Sequence, residues 1–546
     1  MTRLFSNEEI NQLADKYNPY DSLRDGQRKA ILDIVNAYQD EKKLVELPAP
    51  TASGKTLILM IVAKILAYDF GIDLTLMTTP LVALADQFSH NPKYADVPCL
   101  IGKANYPCAL NPGLTADDCM SGKNTKIPVC KECEYKKAKE VFDNSSLGYT
   151  TFPRLQYDKN IKGRVNALFI DESSSIESAL RQLAEIELSI ECDRNNINEW
   201  LNKRYDILTE LVDELEGKIE GIFESAFIGG FFDIKKVDFN RVKILKIQLR
   251  AAMKEKHAVY KALGYIENNI PYVITLDEVE KWNKEKKYME KVKVKHFKLI
   301  TAKEPFKELV HNLAFVVLAS GTPTTEMLTD EPYTIVNVEH PIPKEIRPAY
   351  FLKCGSMSYK TRDETAKEMA KIIAALFEGE EHNVIVHCGN SYPVAQLLYN
   401  ETIKYIDPKL IILQTKKTRK ECLNRFLNAD HILYFSVKMD EGVDLKGGKF
   451  KVNIVAKLPT AAWLDQYTEA RNAYDKARKG FNQWYDTMSA TSMMQMYGRI
   501  SRTPTDEGIT YFLDNACLSF WKRYNSMGKH KIKLFYCWFD EACKVI

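Results

Sequence analysis

Short apolar runs alternate with longer helical patterns toward both ends of the chain. The runs lie at 43–47, 165–170, 316–319, 384–388 and 432–436. Each has the length of a buried strand, and the apolar segment at 57–66 has the length of a core helix. Because buried strands that alternate with helices are typical of parallel sheets, the pattern predicts an α/β fold with one such sheet toward each end.

The middle of the chain has a different pattern. Residues 197–222 and 242–265 predict long charged helices, and the surrounding segment carries little strand signal. A mainly helical insertion is therefore expected between the parts of the first sheet.

A lysine-rich block follows these helices at 281–298, and it contains Trp282, Tyr288 and Phe297. Lysines with interleaved aromatic rings suit a nucleic-acid single strand, through phosphate contacts and base stacking. A solvated helix whose aromatic side chains face the core explains the same composition.

Bulk composition limits the classes of protein that the sequence can encode. The 546 residues exceed a single hydrophobic core and predict three or four domains. A net charge of +3 is close to neutral, so any nucleic-acid track must be local. No apolar run approaches the ~20 residues that span a bilayer, and we expect no membrane association. The start of the chain has no signal-peptide pattern, and the twelve cysteines are few, so we expect a reducing, cytoplasmic compartment.

A strand, a loop of small residues and a helix follow one another at 43–66. The loop residues next to the helix are Ala52, Ser53, Gly54, Lys55 and Thr56. Small residues let backbone N–H groups turn inward around phosphates, and the helix N-terminus adds partial positive charge. Lys55 is expected to neutralise the β- and γ-phosphates of ATP, and Thr56 to offer its hydroxyl to Mg²⁺. Ala49 stands where the pattern has its first glycine.

Two carboxylates end the apolar run at 165–170. Asp171 follows the run directly, and Glu172 comes next. The carboxyl end of a parallel strand is where a nucleotide-bound magnesium ion is held, so Asp171 is a candidate ligand. Glu172 is the candidate for orienting the attacking water and taking its proton.

Two further patterns occur downstream. The run at 316–319 ends in the polar turn 320–322 (Ser-Gly-Thr). Gln495 begins a segment in which Arg499 and Arg502 stand three residues apart, on one face of a helix. Arginines so arranged can reach the γ-phosphate from a second domain, although a solvated helix face would have the same spacing.

Four cysteines lie between the two halves of this nucleotide pattern. They are Cys108, Cys119, Cys130 and Cys133. Four thiolates suit either a 4Fe–4S cluster or tetrahedral zinc. Zinc sites usually pair their ligands as two close couples, and this segment contains a single close couple, which favours a cluster.

The combined motifs resemble the XPD/DinG group of iron–sulfur superfamily 2 helicases over most of the chain. The matching segments are 24–27, 49–56, 78–87, 102–108, 133–139, 171–172, 320–322, 436–445 and 495–502. The resemblance implies that Gln27 reads adenine, that Asp444 belongs to the motor's fifth motif, and that the cysteines bind 4Fe–4S. Ser174 stands where many relatives have histidine.

The resemblance also implies a domain plan of two RecA-like parallel-sheet motor domains, the first interrupted by an iron–sulfur cluster domain and a helical Arch-like domain. The predicted ranges are 1–104, 143–175 and 300–328 for the first motor, 105–142 for the cluster domain, 176–299 for the Arch-like domain and 329–546 for the second motor.

The function implied is that of an ATP-dependent DNA helicase. It would use ATP and Mg²⁺ with a structural 4Fe–4S cluster, move 5′ to 3′ on single-stranded DNA, and unwind fork or overhang duplexes. We expect the protein to act as a monomer. One alternative is a translocase or remodeller that separates no strands. Another is a DNA-binding protein with a degenerate motor, for which Ala49 and Ser174 are the only support.

Overall fold

The computed structural model describes residues 4–50, 52–80, 82–108, 113–118, 133–228, 231–283, 288–322, 324–437, 450–461, 465–499, 506–525 and 534–546. Within these ranges the chain forms two parallel sheets, each covered by helices, and an inserted unit of helices and antiparallel strands.

The first parallel sheet has seven described strands in the order β12-β1-β11-β5-β2-β4-β3. The strands are β1 (Leu44–Pro48), β2 (Thr75–Thr79), β3 (Cys99–Leu100), β4 (Leu147–Thr151), β5 (Ala167–Asp171), β11 (Phe315–Ser320) and β12 (Thr334–Ile335). Successive residues of a strand face opposite sides of the sheet. Phe169 and Val317 pack in the hydrophobic core on one side, and Leu168 and Leu318 pack in the core on the other side. Because helices cover both faces, the central strands β5 and β11 read as nearly unbroken apolar runs in the sequence.

Helices from several parts of the chain cover the first sheet. They are α1 (Asn7–Tyr17), α2 (Asp25–Gln39), α3 (Lys55–Lys64), α4 (Val82–Ser89), α5 (Glu134–Asp143), α6 (Phe152–Tyr157), α7 (Lys159–Arg164), α8 (Ile176–Gln182), α11 (Lys303–Val310) and α12 (Thr325–Leu328). Every residue of α3 from Leu57 to Lys64 is buried, as expected for a helix packed on the sheet beside α2.

The inserted unit contains both predicted long helices and a hairpin that the sequence analysis missed. Its elements are β6 (Ile186–Leu188), α9 (Ile197–Glu224), β7 (Phe227–Ile228), β8 (Phe231–Phe232), α10 (Phe239–Glu267), β9 (Tyr272–Asn283) and β10 (Tyr288–Leu299). The helical alternative for residues 281–298 is wrong, because β9 and β10 pair antiparallel along their length. The missed signal is the strict alternation of lysine and valine at 291–295, which has the period of a strand.

The second parallel sheet has seven described strands in the order β15-β16-β14-β17-β18-β13-β19. They are β13 (Ala349–Phe351), β14 (Asn383–His387), β15 (Ile411–Leu413), β16 (Leu433–Ser436), β17 (Phe450–Val455), β18 (Ile509–Phe512) and β19 (Cys543–Val545). The helices of this unit are α13 (Arg362–Glu378), α14 (Tyr392–Thr402), α15 (Arg419–Asn428), α16 (Gln466–Lys479), α17 (Gln483–Tyr497), α18 (Asn515–Tyr524) and α19 (Cys537–Asp540).

The two parallel sheets confirm the predicted α/β fold class. Strand β12 pairs with β1, so the first sheet continues past residue 328, where the sequence prediction ends the first motor. The domain boundaries themselves stay predictions. No helix in the described ranges is long and apolar enough to cross a membrane.

Candidate functional site

The loop between β1 and α3 turns sharply just before the helix. Gly54 has φ +82° and Ala52 has φ +66°, both in the left-handed region. A Cβ added to Gly54 would collide with Nε2 of Gln27. Glycine is therefore required at this position for its backbone conformation and for the close approach of Gln27. The loop delivers Lys55 and Thr56 to the first turn of α3.

Two side chains at the start of α2 hold this loop from outside. The Gln27 amide donates to the Ser53 carbonyl (2.9 Å), and the Arg24 guanidinium donates to the Ala52 and Ser53 carbonyls (2.8 Å each). The Arg24 backbone N–H in turn donates to Gln27 Oε1 (3.1 Å). The sequence analysis assigned no role to Arg24; the contacts make it a clamp on the phosphate-binding loop.

The two predicted halves of the nucleotide site meet at the carboxyl edge of the sheet. The Thr56 hydroxyl donates to Asp171 Oδ2 (2.7 Å), and Lys55 Nζ lies 2.9 Å from Glu172 Oε1. In the sheet, β11 lies between β1 and β5. The loop after β1 and the carboxylates after β5 therefore come together at the same edge, although they are far apart in the sequence. The backbone of Glu172 has φ +56°, and the chain turns there to present its carboxylate.

The electrostatics of this edge favour a cation. Burial raises the pKa of Asp171, the Glu172 charge raises it further, and the Lys55 charge and the Thr56 hydroxyl act in the opposite direction. Two adjacent carboxylates, one of them buried, are costly to ionise without a nearby positive charge. A hydroxyl and a carboxylate oxygen are also the hard donors that Mg²⁺ prefers, so the residues present fit that ion.

The polar turn after β11 lies beside the start of the phosphate-binding loop. The Ala49 backbone N–H donates to the Ser320 carbonyl (3.0 Å), and the Ser320 and Thr322 hydroxyls are 3.1 Å apart. The turn at 320–322 is thus joined to the loop by a backbone hydrogen bond.

Gln495 and Arg499, the predicted contribution of the second motor, lie in the second parallel-sheet unit. Gln495 lies on α17, and Arg499 is buried just beyond its end. Burial, together with the nearby Arg499 charge, lowers the pKa of His387 at the end of β14 to about 3, so this histidine is neutral. Arg502 and Asp444 lie outside the described residues, and their predicted roles stay predictions.

Two of the four predicted metal-binding cysteines are described, and Cys119 and Cys130 lie outside those ranges. Cys108 and Cys133 are half-buried free thiols. Tyr106, just before the first of them, packs edge-to-face on Tyr135, just after the second, with ring centroids 5.5 Å apart. The described residues contain no group of three metal-ligating side chains, as expected when only two of the cysteines are among them.

The cysteine segment also contacts the inserted unit. Asp117 forms an ion pair with Arg250 of α10, and Lys246 of the same helix donates to the Asp117 carbonyl. The sequence analysis missed these contacts, because the partners are far apart in the chain and no motif contains them.

Comparison with known proteins supports the motor assignment. Residues 373–531 match the family model described as the helicase C-terminal domain. An XPD helicase structure has 15% identity, covers 92% of this chain and 98% of its own, and gives a TM-score of 0.56. Xpd4 of S. tokodaii has 15% identity, 94% and 100% coverage, and a TM-score of 0.53. No curated protein matches the sequence significantly.

The helicase C-terminal domain matched at 373–531 indicates an ATP-dependent helicase enzyme, as the sequence predicts. The fold over most of the chain is similar to that of the XPD helicases, which confirms the predicted resemblance to the XPD/DinG group at the level of the fold.

Proposed function

We propose that this protein moves along single-stranded DNA, 5′ to 3′ as the resemblance implies, and unwinds fork or overhang duplexes with energy from ATP. The observation that carries the proposal is the meeting of Lys55 and Thr56 with Asp171 and Glu172. It joins a phosphate-binding loop to two carboxylates at one sheet edge, which is the minimum that nucleotide hydrolysis requires of one motor domain.

The ion pair between Lys55 and Glu172 suggests how binding prepares hydrolysis. Lys55 exchanges its partner for the β- and γ-phosphates when ATP enters. Glu172 is then released to orient a water molecule and accept its proton. Mg²⁺ bound by Thr56 and Asp171 would neutralise charge on the phosphates. Gln27, already on the Ser53 carbonyl, would link adenine recognition to the loop.

The second motor completes the site in this proposal. Arg499 and Arg502 reach the γ-phosphate when the two motors close, and Gln495 and Asp444 belong to the same surface. Loss of that phosphate removes the contacts that favour the closed state, so the motors open. Alternating grip on the DNA backbone by the two motors turns each cycle into a step.

The cysteine segment is proposed to hold a 4Fe–4S cluster on Cys108, Cys119, Cys130 and Cys133. Cys108 and Cys133 fit this group, because both are free thiols on segments joined by the Tyr106–Tyr135 contact. The cluster would supply a rigid covalent crosslink. Asp117 connects that segment to α10 and hence to the inserted unit, which supports a structural role beside the DNA.

The test is Lys55→Ala, with Lys42→Ala as the matched control on an exposed lysine before the same strand. We expect Lys55→Ala to abolish ATPase activity stimulated by single-stranded DNA while DNA binding persists, because the phosphate charge loses its partner. Lys42→Ala should behave as the wild type. Normal turnover by Lys55→Ala would contradict the assignment.

Strand displacement on duplexes with a 5′ or a 3′ overhang separates the remaining alternatives. Displacement from the 5′ overhang alone is expected. DNA-stimulated ATPase activity without displacement would indicate a translocase, and the absence of both would indicate a degenerate motor.

A further inference from the structure

One face of α16 contacts every unit of the molecule at a buried junction. Tyr467, Arg471 and Asp475 are spaced four residues apart and therefore share that face. We call their contacts with Glu177, Ile300 and Trp484 the α16 junction. The Arg471 side chain is 1% exposed, and those of Glu177 and Asp475 are 3% and 4% exposed.

Charges in the α16 junction are paired across units. Arg471 Nη1 lies 3.3 Å from Glu177 Oε1 on α8, and its Nε lies 3.2 Å from Asp475 Oδ1. Arg181 Nε lies 2.9 Å from the same Glu177 oxygen. The two carboxylates, Glu177 and Asp475, are therefore matched by two guanidinium groups. The Asp475 carboxylate also accepts from the Trp484 backbone N–H (2.7 Å), at the start of α17.

The junction holds both connections between the first motor and the inserted unit. Glu177 lies on the outgoing connection, one 3-10 turn after the Asp171–Glu172 pair. Ile300 lies on the returning connection after β10, and its carbonyl accepts from Arg471 and from the Tyr467 hydroxyl (3.1 Å). Gln466 adds a contact to the insertion itself, since its Oε1 accepts from the Leu276 N–H on edge strand β9 (2.7 Å).

The same junction adjoins the segment that follows Ser320 and Thr322. Met327 of α12 is fully buried against Tyr467 and Trp484. The Gln483 amide donates to Glu326 of that helix (2.8 Å). Helix α17 starts here and carries Gln495 at its other end.

Resting on the function proposed above, we propose that the α16 junction couples the nucleotide site to the inserted unit, with Arg471 as its positioning residue. Separating α16 from α8 would leave buried charges without partners, which is costly. Movement of the second motor is therefore transmitted to α8 of the first motor and to the ends of β9 and β10. The inserted unit thus responds to the second motor, although the chain attaches it to the first.

Two variants test the coupling, one by removing an exposed contact and the other by weakening the buried ion pairs. Gln466→Ala removes the exposed contact with β9 and leaves the buried charges in place. Arg471→Lys keeps the charge but cannot bridge Glu177, Asp475 and Ile300 together. Glu469→Ala is the matched control, an exposed residue on the same helix.

The measurement is hydrogen–deuterium exchange with and without a non-hydrolysable ATP analogue and Mg²⁺. In the wild type and in Glu469→Ala, we expect the analogue to alter exchange in α3 and also in β9. In Arg471→Lys, the change in α3 should persist while the change in β9 is lost. In Gln466→Ala, the change in α3 should persist and the change in β9 should be smaller than in the wild type. If Arg471→Lys does not fold, the test is the exchange of β9 in Gln466→Ala compared with that in the wild type.

Two outcomes overturn the inference while leaving the proposed function intact: a change in β9 that survives in both variants, or a wild type that alters α3 but not β9. A wild type with no change in α3 overturns the ATP site and the coupling together.

Steady-state kinetics provides a second test, because a purely structural role of Arg471 would not change kcat while leaving the KM for ATP the same. Arg471→Lys should lower the DNA-stimulated kcat roughly tenfold or more while the KM for ATP stays unchanged.

Discussion

At the residue scale, the nucleotide site depends on a few side chains whose neighbours leave little freedom. Gly54 combines a left-handed backbone with close contact to Gln27, and Asp171 is buried beside a second carboxylate. The sequence motifs identified these residues. The motifs did not indicate that Gln27 and Arg24 hold the loop carbonyls, because those contacts depend on how α2 packs against the loop.

Gly54→Ala should reduce ATPase activity strongly, because the added methyl group displaces Gln27 and the left-handed backbone costs about 1–2 kcal/mol. Gly71→Ala is the matched control, since Gly71 has φ +69° but open space around its Cβ position. The expected result is loss of turnover in the first variant and a modest loss of stability in both. Equal, full activity in the two variants would contradict a role for the Gln27 contact.

Asp171→Asn should stabilise the nucleotide-free protein at pH 7 while abolishing turnover. The folded-state pKa of Asp171 is raised, so its ionisation lowers the stability of the fold as pH rises from about 3.9 toward that raised value. Asparagine removes this cost and can still accept from Thr56. The difference in melting temperature should shrink as the pH falls through that window. Asp21→Asn, at an exposed position, is the control for the substitution itself.

At the scale of single elements, the β9–β10 hairpin is the main correction to the sequence analysis. Its alternating lysines and valines have strand periodicity, whereas the sequence analysis offered a solvated helix as the alternative for residues 281–298. The end of the hairpin exposes Trp282 and Tyr288, at 58% and 48%. Strand pairing brings Trp282 opposite Met289 and Tyr288 opposite Asn283, so the two exposed rings lie on opposite faces of the hairpin.

Trp282→Ala and Tyr288→Ala should each weaken binding of single-stranded DNA. Base stacking on an aromatic ring contributes about 1–3 kcal/mol, so a loss of roughly tenfold in affinity is expected for each. The measurement is fluorescence anisotropy with a labelled oligonucleotide, and ATPase activity without DNA should not change. Tyr359→Ala removes an exposed ring from the second motor as a control. Unchanged affinity in both hairpin variants would leave the lysine-rich ribbon without a role in DNA binding.

At the scale of the whole molecule, distant segments assemble into shared structures. The first sheet draws strands from residues 44 to 335, and the cysteine segment docks on α10 through Asp117. One consequence is that loss of the metal centre should affect DNA unwinding more than ATP hydrolysis, because the nucleotide site is built from other elements.

Cys133→Ser should lose its iron and its unwinding activity while retaining much of its ATPase activity. The wild type, purified without oxygen, should contain about four irons and four sulfides per chain. Cys99→Ser is the control: burial raises the pKa of the Cys99 thiol to about 12, so it is a poor ligand. One zinc per chain and no iron in the wild type would refute the cluster, and unwinding by Cys133→Ser would refute its role in unwinding.

The sequence by itself determined the fold class and brought together most residues of the proposed nucleotide site. Buried parallel strands appear as apolar runs, and the groups proposed to bind phosphate and magnesium belong to short local segments such as Lys55–Thr56 and Asp171–Glu172. Periodicity and motifs therefore report both directly.

The tertiary structure alone decided how those segments cooperate. The clamp of Arg24 on the loop, the docking of Asp117 on α10 and the burial of Arg471 against Glu177 each join residues far apart in sequence. No local pattern encodes such pairs, because a side chain's partner depends on which elements pack together after the chain has folded.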